Sequence, residues 1–180
     1  MTTIIWKGIL YNSLEYFQLA ENENAILAKS KIIGTHENQF YLVEYFLMID
    51  KEWNVLSFEI EFEVNNKKKK FSGVKMNNEW VINGKIDPLY SGFEFIDISL
   101  TPFTNTLPIR KLRLSHRQEK EINVIYLNIL EDYIKPVKQK YRKNSELKFR
   151  YENIPNDFEA DIEVDELGLV ILYPSLFEKV

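Results

Sequence analysis

The chain has 180 residues, with 23 Lys and Arg against 27 Asp and Glu for a net charge of −4. With 45% hydrophobic and 28% charged residues it excludes both disorder and a membrane-embedded composition, and a chain of this length buries roughly 70% of the surface that its unfolded form exposes. The absence of cysteine excludes disulfides, thiolate metal sites and cysteine nucleophiles, and two histidines, His36 and His116, are too few for a structural zinc site.

In chain order, the opening MTTIIWK has neither the basic start nor the unbroken apolar core of an export signal, which predicts a cytoplasmic protein. Residues 40–49 are the longest apolar run, interrupted by Glu44 and far short of the roughly 20 residues of a membrane-spanning helix. No transmembrane segment is expected. Both alternating sets of this run, Tyr41/Val43/Tyr45/Leu47/Ile49 and Phe40/Leu42/Phe46/Met48, are apolar, which predicts a strand covered on both faces. Residues 55–64 alternate strictly, with Leu56, Phe58, Ile60, Phe62 and Val64 on one face and Ser57, Glu59, Glu61 and Glu63 on the other. This is a strand with one solvated face. Asn65-Asn66 then marks a hairpin, and Lys67 to Lys70 read as cross-strand partners of the outward glutamates rather than as a phosphate-binding patch. With a negative net charge, no nucleic-acid partner is expected.

Asn77-Asn78 and Asn83-Gly84 are further turns. Residues 101–114, TPFTNTLPIRKLRL, read as a loop stiffened by Pro102 and Pro108 and crowded with Thr101, Thr104, Asn105, Thr106 and Arg110. Val124 to Leu130 is a second strand apolar on both faces except for Asn128, residues 135–144 can be read as a strand, and residues 147–151 and 158–165 alternate cleanly. Residues 159–166 are acidic, but their alternation lays the carboxylates along an exposed strand face rather than around a calcium loop. No stretch sustains an amphipathic helical stripe over three turns. The expectation is an all-β protein with little helix.

The two doubly apolar strands end in Asp50 and Asp132, and each is followed by an alternating strand, a polar connection and further strands. This predicts one domain, 1–180, made of two similar fused halves of about 1–95 and 96–180. No nucleotide-binding, hydrolase or metalloprotease motif occurs, and no cofactor is implied.

The segment TPFTNTLPIRKLRL closely resembles the hallmark of a bacterial family named for glycolipid binding and formerly classed as a domain of unknown function. Trp6 with Ser13-Leu14-Glu15, then Tyr45, Asp50 and Trp53, then Trp80, Gly84, Leu89, Gly92 and Asp97, and finally Gly168 with Tyr173-Pro174 follow the family's order. Asn83, Phe95 and Lys111 depart from it. The resemblance implies a strongly curved antiparallel β-roll, like the open-barrel folds of bacterial lipoprotein carriers, with a glycolipid or other amphiphile as partner.

Joined to the residues, it suggests an acyl group held in an apolar cavity with its polar head near the Thr/Asn/Arg segment. Thr104, Asn105, Arg110, Asp97, Glu15 and Trp6 are the candidate binding residues. Arg110 would pair with an anionic head, and Thr104 and Asn105 would bond sugar hydroxyls. Two competing readings are an enzyme using Asp97 or Glu15 as acid/base with Arg110 stabilising charge, and a scaffold recruiting partners at a sheet edge. Oligomeric state is not encoded in any motif.

Overall fold

A computed structural model describes all 180 residues. The first half of the chain is a meander of β1 (Thr2–Gly8), β2 (Ser13–Glu21), β3 (Ile26–His36), β4 (Gln39–Ile49), β5 (Val55–Val64), β6 (Lys67–Met76), β7 (Glu79–Ile82) and β8 (Lys85–Ile86). β9 (Phe95–Ile98) and the single α-helix α1 (Phe103–Leu112) follow. A second meander completes the chain: β10 (Glu119–Asn128), β11 (Tyr133–Ser145), β12 (Lys148–Ile154), β13 (Glu159–Val164), β14 (Val170–Tyr173) and β15 (Phe177–Lys179).

All fifteen strands form one curved, unclosed sheet, running from β8 back to β1, across to β15, and back again to β10 and β9. The first and last strands therefore meet in its middle, with Trp6, Lys7 and Gly8 opposite Lys179, Glu178 and Phe177. Only β9 and β10 pair in parallel; the other neighbours are antiparallel, and all of those except β1 and β15 are hairpins of consecutive strands. The expected all-β fold is the observed one.

Turn chemistry sets the hairpins. Asn65 and Asn66 have φ of 48° and 64°, the left-handed pair that a two-residue turn between twisted strands requires. Asn83 and Gly84 repeat this at 49° and 79°. On β6, Lys70 meets Glu59 at 3.0 Å and Glu61 at 3.6 Å and Lys68 meets Glu63 at 3.8 Å, so these two lysines are the cross-strand partners that the pattern predicts, whereas Lys69 reaches Asp132 instead. In β5, Phe58, Ile60 and Phe62 are buried, but a bulge opposite Met48 and Ile49 turns Val55 inward in place of Leu56.

Two local expectations are corrected. β4 is covered on one face only: Tyr41, Val43, Tyr45, Leu47 and Ile49 are buried, while Phe40 is 70% and Leu42 43% exposed. No second layer packs on the convex side of the sheet at this strand, so its outer apolar residues are screened only by neighbours such as Lys29, whose Nζ lies 5.5 Å from the Phe46 ring. β10 behaves as expected, with Val124, Ile125 and Leu127 buried, as is Ile129 just beyond its end.

The second correction is residues 101–114, in which Phe103–Leu112 form a helix rather than a loop. Every residue from Phe103 to Ile109 is buried, so no face contrast exists for a helical period to show. Pro108 is tolerated inside α1 at the expense of one helical hydrogen bond to the Thr104 carbonyl, and the helix stops at Arg113 in the left-handed region, φ 46°.

α1 lies in the trough of the sheet. Phe103 packs against Phe17 with ring centroids 4.5 Å apart, and Phe17 against Trp6 at 4.9 Å. All three are fully buried. Where the sequence suggests a hollow for an acyl chain, the centre holds this helix and its interlocked aromatics.

Candidate functional site

The start of α1 engages two carboxyl groups, the buried Glu15 and the half-buried Asp97. Thr101 precedes the helix; its Oγ1 accepts the Phe103 N–H at 3.1 Å and donates to Glu15 Oε1 at 2.9 Å. Ser30 and Tyr45 hydroxyls donate to the same oxygen at 2.7 and 2.8 Å. Glu15 is thus fastened between β3, β4 and the start of α1, while its Oε2 has no partner. Burial raises its pKa to about 7 against the lowering effect of the three donors.

One helical step on, Thr104 Oγ1 donates to Asp97 Oδ1 at 2.8 Å, and Gln139 Nε2 donates to Asp97 Oδ2 at 2.7 Å. Asn105 Oδ1 accepts the Tyr141 hydroxyl at 2.8 Å, and its Nδ2 donates to the Pro102 carbonyl at 3.3 Å. These bonds orient Asp97 and Asn105 without using all of their capacity, because an ionised carboxylate has about four acceptor sites and an amide nitrogen two donors.

Both residues line a pocket of about 270 Å³ on the concave face of the second meander. The helix side contributes Thr101 and Asn105, β9 contributes Asp97, and Tyr126 stands directly across from Asp97 on β10. The opposite wall is aromatic. Ring centroids are 5.9 Å apart for Tyr11 and Phe177, 6.3 Å for Phe177 and Tyr173, 5.9 Å for Tyr173 and Tyr151, and 6.1 Å for Tyr173 and Phe158. Leu10 and Leu176 complete the apolar lining. The phenols of Tyr11, Tyr126, Tyr151 and Tyr173 are all raised in pKa, first by burial and next, for Tyr11, Tyr126 and Tyr151, by the Asp97 carboxylate. For Tyr173 the charge of Tyr151 precedes that of Asp97. Asp97 itself is raised by burial, against the lowering effect of Thr104 and Gln139.

Of the residues singled out from sequence, Asp97 and Asn105 line this pocket and Thr104 supports Asp97 from behind. Glu15 lies in its own hydroxyl cluster, joined to the pocket through Thr101. Trp6 is a core residue whose indole N–H donates to the Val170 carbonyl at 2.7 Å. Arg110 goes elsewhere. It is exposed on the last turn of α1, its guanidinium 5.2 Å from the Trp53 ring, in a separate cleft of about 660 Å³ with Lys51, Arg113 and Lys143. Arg110 is therefore not among the residues around Asp97, and the acid, base and cation imagined for an enzyme are not gathered in one place. Phe95, one of the departures from the resembled pattern, is a buried strand residue under Lys111, whose Nζ lies 5.3 Å from its ring.

The sequence reading does not find the tyrosines of the wall. Tyr11, Tyr126, Tyr151 and Tyr173 come from a turn and three separate strands, and no local spacing connects them. The one signal in the sequence is an aromatic content of 14%, which fits a packed core equally well.

A curved, unclosed β-sheet wrapped on a single helix, with an aromatic pocket floored by a carboxylate and an amide, defines an all-β roll. The chain belongs to the family described as "putative glycolipid-binding", which it matches over residues 3–179. It is similar to a DUF1089 family protein from Pseudomonas aeruginosa known from a crystal structure, with 29% identity, 92% of each chain covered and a TM-score of 0.83. None of the curated proteins matches it. No helix of the fold is long and apolar enough to cross a membrane.

Proposed function

We propose that this protein binds a glycolipid by its sugar head, held in the pocket between Asp97, Asn105 and the tyrosine wall. The observation that carries this reading is the combination of aromatic faces with an acceptor-rich floor in one cleft of about 270 Å³. Sugar rings present apolar C–H faces to aromatic rings and hydroxyls to carboxylates and amides, so both surfaces of the pocket are used. The volume is near the low end of the roughly 300–1,000 Å³ usual for ligand sites, which suits one ring rather than a chain of sugars.

The acyl part takes a different path from the interior cavity that the sequence suggests. With α1 packed into the trough, the tail leaves by the mouth of the pocket, past Leu176 and the exposed Leu10. Family membership supports the ligand class, and the pocket supports the location.

Titration calorimetry with octyl glucoside below its micelle concentration tests the reading. The wild-type protein is expected to bind it, and Tyr126→Ala, which removes a half-buried ring of the pocket, to weaken binding roughly tenfold. Arg110→Ala, in the other cleft, is expected to change affinity by less than about twofold. Absence of binding, or binding indifferent to Tyr126→Ala, overturns the proposal.

A further inference from the structure

The charge of the pocket selects among sugar heads. Of its fourteen lining residues, Asp97 is the one with a carboxyl group, and none is Lys, Arg or His. The partners that hold Asp97 are a hydroxyl and an amide, neither of them a cation. Around it stand six aromatic rings, those of Tyr11, Tyr126, Tyr151, Phe158, Tyr173 and Phe177. Aromatic faces carry negative potential and attract cations within about 6 Å, most strongly where water is excluded. A carboxylate at the floor adds attraction of the same sign, and at partial burial its field is screened less than at the surface. Outside the lining, the exposed Lys135 places its Nζ 5.9 Å from the ring of Tyr126, its cross-strand neighbour on β10, and 5.0 Å from that of Tyr133 on its own strand β11.

We infer that the head group taken by this pocket carries a protonated amine, as an amino sugar does, with the ammonium on Asp97 and against the tyrosine faces. The inference rests on the head-group reading above and narrows it. A phosphate or carboxylate head would meet the Asp97 carboxylate and the negative ring faces with no cation in the lining to offset them, so anionic sugars are disfavoured here. Acetylating the amine removes the charge and adds bulk in a pocket of about 270 Å³, and the acetylated sugar is disfavoured on both counts.

The test uses 13C-labelled tyrosine, whose ring resonances report the pocket directly, titrated with glucosamine, glucose and N-acetylglucosamine near neutral pH. Glucosamine is expected to bind the wild-type protein at least about tenfold more tightly than glucose, and N-acetylglucosamine to lose that advantage. In Asp97→Asn, which keeps the shape and an acceptor for Thr104, the two sugars are expected to converge within about twofold. If Asp97→Asn does not fold, the comparison in the wild-type protein decides alone. Glucose binding as well as glucosamine overturns the amine while leaving the head-group site intact. No tyrosine shift with any of the three sugars, together with no octyl glucoside binding, overturns both.

Discussion

Glu15 illustrates how a single buried acid couples position to pH. Its folded pKa is raised to about 7 from an ordinary 4.5, so between these values the folded state holds a proton that the unfolded chain has released. The unfolding free energy must then fall as pH rises through this window, being fullest below it and lost above it. For a fully enclosed group the shift corresponds to something on the order of 3 kcal/mol. Glu15→Gln keeps an acceptor for Ser30, Tyr45 and Thr101 but cannot ionise. Urea unfolding from about pH 4.5 to about pH 8 should therefore show the wild type losing stability relative to the variant as pH rises; parallel curves would mean that Glu15 titrates normally. At this scale the sequence exposes the residues held in one contiguous motif, because Thr101, Thr104 and Asn105 are a few positions apart and each engages a polar partner in the fold. Arg110 belongs to the same motif but leaves it in space, because the five positions from Asn105 carry it to the far end of a ten-residue helix.

At the level of elements, strands were legible wherever one face met water and the other the core. The alternation in β5 and β13 is a direct record of that contrast. It fails where contrast vanishes. α1 is enclosed on all sides from Phe103 to Ile109, contains two β-branched threonines and is interrupted by proline, so propensity and period both argue against the helix that packing imposes. β4 misleads in the opposite sense, since its apolar outer residues argue for a second layer that the convex face lacks. The helix is nonetheless the keystone of the core, because Phe103 joins it to Phe17 and, through Phe17, to Trp6. Phe103→Ala should lower the unfolding free energy by about 3–5 kcal/mol, the range for emptying a buried aromatic site. A loss below about 1 kcal/mol in chemical denaturation would show that the trough closes without it.

Across the whole molecule, two meanders share one sheet, and they are tied together at opposite sides in different ways. We propose that they arose by duplication, with the halves meeting near residue 95; an order that runs outward from β1 and β15 to β8 and β9 is what two fused copies would produce. On the inner side the seam is β15, lying between β14 and β1 and bonded to both. Across the open side, Lys69 on β6 reaches Asp132 in the β10–β11 turn, and Gln39 donates to the Leu130 carbonyl at 3.4 Å. These contacts differ in strength for a physical reason. The Lys69–Asp132 pair is partly exposed, with side chains 47% and 34% accessible, and such pairs contribute at most about 1 kcal/mol. Loss of β15 instead strips ladder partners from two strands at once and removes the buried Phe177 from the wall of the pocket. Lys69→Ala should therefore leave a single guanidinium transition with a midpoint close to wild type, whereas deleting residues 177–180 should abolish that cooperative transition and the tyrosine wall with it. A truncated chain that unfolds in one step at the wild-type midpoint would place the union of the two halves in α1 and the core it organises, rather than in the strand that bridges them.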